Sequence, residues 1–239
     1  MLELEHLNLV KGIGIEGDIN SDRLSPRQVL IVNAEDLSRL SISPGALREN
    51  VILKNASREK FKPGTLVIFS SGAEIRLTFY CEPCKRVANL VDSINNLTEK
   101  RGILGVVVKS GAINLDDTVV LKTDFFPVLS DVPYERFLEV LSKVPKGKII
   151  TYQHLIKAIG VDKSYYRVIP AYIKKTSKSY PVHRILDSKG TIITHIPSQK
   201  ELLEAEGIKF SPSRNSSKNN QFSVSLDKYT WKNISSLWI

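Results

Sequence analysis

Cys81 and Cys84 are the only thiols in a chain of 239 residues. Their spacing, Cys81-Glu82-Pro83-Cys84, is half of a tetrahedral zinc site, and there is no second cysteine pair to complete it. A thioredoxin-type dithiol needs a βαβ setting, whereas this pair follows a strand pattern in a β-rich stretch. Two thiols cannot build a disulfide framework, so they suit a reducing compartment, either as inert packing or as chemistry. A second group of functional residue types lies downstream. Between Leu141 and Lys200 stand twelve Lys and Arg residues against Asp162 and Asp187, a local charge of +10 in a chain that totals +9. Tyr152, Tyr165, Tyr166, Tyr172 and Tyr180 are interleaved with them. This density of cations among aromatic rings is the footprint of a phosphate-backbone binder; a solvated lysine-rich surface is the alternative.

These residues must be carried by ordered elements, and the composition supplies them. With 42% hydrophobic and 25% charged residues and a mean hydropathy of -0.11, the chain is too apolar for wholesale disorder and long enough for two modest domains. No apolar run approaches the roughly 18 residues of a membrane span, and Met1 to His6 lacks the basic and apolar regions of a signal peptide, so a cytoplasmic protein is expected.

Up to about Lys122 the chain shows short β-branched runs closed by turn residues: Arg27–Asn33, Val51–Lys54, Thr65–Phe69, Glu74–Phe79, Gly105–Val108 and Thr118–Leu121. They predict a mainly β domain, a barrel or strongly curved sheet, with helical interludes at Glu35–Leu40 and Arg86–Asn96. Thr123–Pro133 has two prolines and no periodicity and reads as a linker, which gives domains at 1–122 and 132–239 with 123–131 between them. Beyond it the spacing predicts a helix over Tyr134–Val144, then a Lys146-Gly147-Lys148 turn. A helix over Tyr152–Ile159 follows, with Thr151 as its N-cap and Gly160 as its end. A second helix over about Lys163–Lys175 completes a helix-turn-helix candidate, with Pro170 expected to kink or shift it. Ser211–Asn220 reads as a polar spacer, and Phe222–Ile239 carries Tyr229, Trp231 and Trp238 to dock back.

Four segments of the C-terminal half carry a family resemblance: VPKGKIITYQHL (Val144–Leu155), SYYRVIPA (Ser164–Ala171), PVHRILDSKG (Pro181–Gly190) and QKELLEAEGIKF (Gln199–Phe210). In order and spacing they resemble the DNA-binding and active-site domain of the alkylguanine-DNA alkyltransferases. In that family a Pro-Cys-His-Arg segment supplies the cysteine that accepts an alkyl group, and here the matching position is Val182. An isopropyl group has no lone pair with which to attack, so His183 and Glu206, standing where the family has its activating partners, have nothing to activate. The pattern is similar to the alkyltransferase-like proteins, and the late VSLDKYTW segment (Val224–Trp231) extends that similarity over most of residues 132–231. The resemblance implies recognition of O6-alkylated guanine in double-stranded DNA without repair, by turning the nucleotide out of the stack, with nucleotide excision repair factors as further partners. It implies Tyr152 as the residue that pushes the nucleotide and Arg167 as the one that fills the gap. Family spacing counted from Tyr152 lands on Tyr166, so Arg167 requires a one-residue insertion and leaves Tyr166 as a stacking partner. Lys174, Lys175 and Arg184 complete the expected DNA contacts, Arg184 being either a phosphate contact or a buried structural arginine. Val182, His183 and Glu206 form the expected lesion pocket, in which Glu206 holds His183 by a hydrogen bond. This half implies no cofactor.

The N-terminal half carries a different series: GIGIEGD (Gly12–Asp18), RQVLIVNAEDL (Arg27–Leu37), SPGALRENVIL (Ser43–Leu53), KPGTLVIF (Lys62–Phe69), CEPCKRV (Cys81–Val87) and RGILGVV (Arg101–Val107). Together they resemble a MOSC domain, the β-barrel module at the C-terminus of molybdenum cofactor sulfurases, over roughly residues 5 to 122. The resemblance implies that Cys84 is a sulfur carrier or a molybdenum-cofactor contact, and it brings an association with pyridoxal phosphate. A partly exposed thiol beside Lys85 and Arg86 would be pulled toward thiolate, which suits either role. Arg27, Arg48 and Arg101 are the expected holders of a pterin's phosphate, although such arginines often only pair with carboxylates. Three readings of the whole chain follow. In the first, the C-terminal half recognises modified guanine without chemistry. In the second, the N-terminal half is an enzyme acting through Cys84, and the basic half brings it to nucleic acid. A third leaves both halves as scaffolds for partner binding.

Overall fold

The computed structural model describes residues 4–212 and 222–239. Two units divide the chain, one of Met1–Asp131 with Trp238–Ile239 and one of Val132–Leu237.

The first unit is a curled β structure. Its strands are β1 (His6–Val10), β2 (Gly14–Ile15), β3 (Val29–Asn33), β4 (Val51–Leu53), β5 (Leu66–Phe69), β6 (Glu74–Tyr80), β7 (Ile103–Lys109), β8 (Gly111–Asn114) and β9 (Val119–Lys122). Six of them form one sheet in the order β4-β3-β7-β6-β5-β9, antiparallel except for the β3–β4 pair, and β2-β1-β8 form a three-stranded antiparallel sheet. Every residue of β3 is buried, which is why its run is continuously apolar up to Asn33, while β9 at the sheet edge alternates between half-buried and exposed positions. Asn33 ends β3 and caps helix α1 (Ala34–Arg39) by accepting from the Glu35 N–H. Leu9, Ile31, Val67, Ile75, Leu77, Ile103 and Val107 fill the core from both sheets.

All six strand runs read from the sequence are strands. Strands β1, β2 and β8 have no counterpart in that reading. They are short and partly polar, and β1 is held by partners far along the chain, His6 opposite Asn114 and Leu9 opposite Gly111. The helix expected over Arg86–Asn96 is instead two 3-10 turns, Ala88–Leu90 and Ile94–Leu97, neither with a side-chain cap. Residues 123–131, which read as a linker, are bonded to the β unit. The Phe125 and Phe126 N–H groups donate to the Gly64 carbonyl, Arg76 Nη2 donates to the Pro127 carbonyl at 2.8 Å, and the Tyr80 N–H donates to Asp131 Oδ1 at 3.0 Å.

The second unit is mainly helical. It contains α2 (Pro133–Lys143), β10 (Ile150–Thr151), α3 (Tyr152–Ala158), α4 (Ile169–Lys175), β11 (Ile185–Leu186), α5 (Gln199–Ala205), β12 (Phe210–Pro212), β13 (Phe222–Val224) and α6 (Leu226–Tyr229). Phe137, Val140 and Leu141 form the buried face of α2, and the fully buried Arg136 donates from Nε to the Ile159 carbonyl at 2.7 Å, satisfying the end of α3. The single helix expected over Lys163–Lys175 is divided. A 3-10 turn spans Lys163–Arg167, and α4 begins afresh with Pro170 in its first turn, where the missing N–H costs nothing. Of the expected spacer, residues 213–220 lie outside the described residues. Tyr229 and Trp231 are buried in this unit, and Trp238, which belongs to the first unit, is buried as well.

Candidate nucleic-acid interface and thiol site

A parallel pair of two-residue strands organises the second unit. In β10 and β11, Ile150 stands opposite Ile185 and Thr151 opposite Leu186, all four buried. Thr151 ends β10 and caps α3 by accepting from the His154 N–H, which fixes Tyr152 at the helix start. Immediately before β11 lies the Val182–Arg184 3-10 turn. The pairing therefore sets the start of α3 beside the segment that holds Val182, His183 and Arg184. Tyr152 is half-buried, and burial, with the Asp187 carboxylate adding to it, pushes its phenol up to about 12. The phenol is a neutral hydrogen-bond donor at any physiological pH.

Glu206 ties this region together. Its Oε1 is 2.9 Å from His183 Nε2 and accepts from Arg184 Nη2 at 2.6 Å, and its Oε2 accepts from the Gly147 N–H at 3.0 Å. Arg184 Nε also reaches both carboxylate oxygens, and Nη1 donates to the Val144 carbonyl at 2.6 Å. Burial alone would raise the Glu206 carboxyl, but the hydrogen bonds from Arg184, His183 and Gly147 outweigh it and bring it down to about 2. Gly147 adopts φ +73°, and a Cβ there would stand 3.2 Å from the Glu206 carbonyl oxygen, so the turn at this contact suits glycine. From the other side the buried Gln199 donates to the carbonyls of His183 (2.9 Å) and Ile185 (2.6 Å) and accepts from the Ile193 N–H.

Tyr166 and Arg167 are both exposed on the 3-10 turn between α3 and α4. Lys174 is exposed at the end of α4. Lys175 is exposed too, but its Nζ lies 3.5 Å from the centroid of the Tyr134 ring and 5.0 Å from that of Tyr172, a cation–π contact that braces α4 on α2.

In the first unit, Cys81 is buried and Cys84 half-buried. Burial raises the Cys81 thiol, against the opposing pull of Arg101 and Arg27. Arg27 Nη2 is 4.0 Å from Cys81 Sγ, and its Nη1 is 3.7 Å from Glu82 Oε2. Arg101 donates from Nη1 to the Glu82 carbonyl, while its Nε is buried with no hydrogen-bond partner among the described residues. Arg101 is followed by Gly102 at φ +102°, where a Cβ would meet the Ile31 carbonyl oxygen at 2.4 Å, so only glycine admits β7 this close to β3. Arg48 is exposed, and no hydrogen bond joins it to this cluster.

Two family models match the chain. The MOSC domain model matches residues 24–120, and the model of the 6-O-methylguanine DNA methyltransferase DNA-binding domain matches residues 133–208. The chain joins a MOSC domain to a methyltransferase-type DNA-binding domain. None of the curated proteins matches it. Among solved structures, S. pombe Atl1, crystallised with damaged DNA containing O6-carboxymethylguanine, is 27% identical, over 43% of this chain and 97% of that one, with a TM-score of 0.37. YiiM from Escherichia coli is 21% identical over 71% of this chain and 86% of that one, with a TM-score of 0.41, and YUAD from Bacillus subtilis is 21% identical over 50% and 86%, with a TM-score of 0.44.

Within the DNA-binding domain the structure thus brings Tyr152, Val182, His183, Arg184 and Glu206 together around β10 and β11, and places Tyr166, Arg167 and Lys174 on the exposed turn and helix that follow. The Arg184 guanidinium is committed inside the domain, to Glu206 and the Val144 carbonyl. Within the MOSC domain, Arg27 and Arg101 gather at the Cys81–Cys84 segment, and Arg48 does not join them. Gln199, Asp187 and Gly147 are absent from the residues read as functional. Each acts through a contact across many positions, and the sole local signal is that all three lie inside the segments that carried the resemblance.

Proposed function

We propose that the DNA-binding domain recognises O6-modified guanine in double-stranded DNA and leaves it unrepaired. The observation that carries this reading is the commitment of the would-be catalytic partners beside Val182. His183 and Arg184 are held by a carboxylate, and the residue next to them is an aliphatic one with nothing to donate to an alkyl group. In this reading α3, the 3-10 turn and α4 act as the helix-turn-helix. Tyr152 pushes the nucleotide out of the stack as an uncharged phenol, Arg167 enters the gap with Tyr166 beside it, and Lys174 meets the phosphates. Val182 forms the apolar wall that leaves room for the alkyl group. Nucleotide excision repair factors are the expected downstream partners. The test is fluorescence anisotropy with duplexes differing only in one O6-methylguanine, together with mass spectrometry of the protein afterwards. Tighter binding to the modified duplex with unchanged protein mass supports the reading, and equal affinity for the two duplexes or a gain of 14 Da per methyl group, about the mass of one CH2, removes it.

The MOSC domain supports a second activity, favoured by one observation: the buried Arg101 Nε, without a hydrogen-bond partner among the described residues, in the cluster that Arg27 forms with Cys81 and Glu82, Cys81 standing three residues before Cys84. An unsatisfied buried donor of a guanidinium fits an anionic group, so the residues present suit the phosphate of a pterin cofactor. Arg101 and Arg27 would hold that group, and the half-buried Cys84 would meet its molybdenum or carry sulfur. Molybdenum, when bound, would supply metal-centred redox chemistry. Metal analysis and pterin fluorescence of the purified protein and of Cys84→Ala test this. Neither metal, pterin nor a Cys84 persulfide in the wild-type protein would leave the MOSC domain a scaffold.

A further inference from the structure

A second cationic surface lies on the DNA-binding domain, where the Lys146–Lys148 turn meets the segment after α6. The chain reaches it from two places. Ile149 forms a parallel bridge with Thr230, its N–H donating to the Tyr229 carbonyl at 2.9 Å and its carbonyl accepting from the Trp231 N–H at 2.9 Å. Ile149 and Tyr229 are part of the buried core of this domain, so the junction is rigidly seated. It brings the Lys146–Lys148 turn against the segment after α6 and opens a groove of about 440 Å³ lined by Lys146, Lys148, Lys228, Lys232, Asp227 and Trp231.

Four lysines face one aspartate in that groove. Lys146, Lys228 and Lys232 are exposed. Lys146 and Lys232 have no hydrogen bond or ion pair among the described residues, so their charge is unneutralised. Lys148 is half-buried and donates to the Lys228 carbonyl at 3.1 Å, which ties the two segments and holds the cations at close quarters. Like charges gathered this way repel one another, and a bound polyanion removes that repulsion while releasing its own counterions. Lys148 precedes Tyr152 by four residues, so their Cα atoms are within about 14 Å even along a fully extended chain. About four phosphates of one DNA strand span that distance along the duplex axis.

We propose that this groove binds the phosphodiester backbone of DNA beside the modified nucleotide, adding sequence-independent affinity to the contacts of the helix-turn-helix. The proposal rests on the DNA reading above and extends its footprint to Lys146, Lys228 and Lys232. Phosphate contacts of this kind position a protein on the duplex without reading bases.

The experiment measures duplex affinity against salt concentration for the full chain, its Lys228→Glu/Lys232→Glu variant and its Lys228→Arg/Lys232→Arg variant, with plain and O6-methylguanine duplexes. Circular dichroism melting confirms folding of each. Each lost phosphate contact is expected to flatten the slope of log K against log salt by about 0.9. The Glu variant should therefore lose about 1 to 2 from the slope, weaken both duplexes by the same factor and keep the ratio between them, while the Arg variant keeps the wild-type slope. An unchanged slope in a folded Glu variant overturns the groove. So does an unchanged slope accompanied by loss of binding to a poly-glutamate peptide, which assigns the groove to an acidic protein partner. If the slope falls but the wild-type protein does not prefer the modified duplex, the groove stands and the lesion reading fails. If the wild-type protein prefers the modified duplex and the slope is unchanged, the groove alone fails.

Discussion

Arg184 and Glu206 are joined by three hydrogen bonds, from Nε to both carboxylate oxygens and from Nη2 to Oε1, with both side chains largely removed from solvent. The same carboxylate holds His183 and the Gly147 N–H, so it fastens the turn containing Val182 to the loop that leads into β10 and Tyr152. Breaking one partner of a pair this buried leaves the other charge uncompensated. Glu206→Gln should cost about 3 kcal/mol in urea unfolding, and Arg184→Met/Glu206→Leu together should cost less than either change alone. A loss for the double variant equal to the sum of the singles would show that the two residues act independently.

Acid should release the same clamp. The folded Glu206 carboxyl lies at about 2, below its ordinary 4.5. The stabilisation it brings is therefore fully present above about pH 4.5 and is lost as the pH falls toward 2, by about 3 kcal/mol in all. Unfolding free energies measured between pH 6 and pH 2.5 should decline for the wild-type protein and decline less for Glu206→Gln. Parallel curves for the two proteins would place the acid sensitivity elsewhere.

Tyr152 offers a test of shape against charge. Its phenol is held neutral up to about pH 12, so binding to an O6-methylguanine duplex should show no titration attributable to Tyr152 between pH 6 and 9. Tyr152→Phe should keep most of the preference for the modified duplex, and Tyr152→Ala should lose roughly ten-fold or more, in line with the few kcal/mol needed to unstack a nucleotide. Equal losses for Phe and Ala would instead assign the effect to the hydroxyl.

The two thiols should separate by reactivity. Cys81 is 2% exposed and its pKa is raised, whereas Cys84 is half-buried. Under native conditions iodoacetamide should label Cys84 and spare Cys81, with both labelled in guanidinium; peptide mass mapping reads the difference. Equal native labelling would contradict the burial of Cys81.

Gly102→Ala should disturb the arginine beside it. The added Cβ would overlap the Ile31 carbonyl oxygen at 2.4 Å in a backbone conformation that L residues rarely adopt. We expect a loss of at least about 2 kcal/mol in thermal or urea unfolding and, in the same variant, faster labelling of Cys81 as the β3–β7 contact opens. A variant as stable as the wild-type protein would mean that β7 can move away from β3 freely.

Local chemistry made much of this protein legible in its sequence. The β-branched runs of β3 to β7 and β9, the Thr151 cap and the amphipathic face of α2 follow from side-chain type and period, because strands and caps respond to residues within a few positions. That position 182 holds an aliphatic side chain, with no lone pair to attack an alkyl group, is likewise a fact of one position. Other features depend on partners far apart in the chain, which no local pattern registers. Strands β1 and β8 exist because His6–Leu9 meets Gly111–Asn114. The lysine groove exists because Ile149 bridges Thr230. The binding of Arg184 to Glu206 spans 22 positions, and that contact turned a residue that could have met a phosphate into part of the frame. Residue types determined which chemistry is within reach. Which charges are spent inside the fold and which are left open to solvent was decided only by tertiary packing, because hydrogen bonding to a buried partner neutralises a cation that its sequence neighbours leave open.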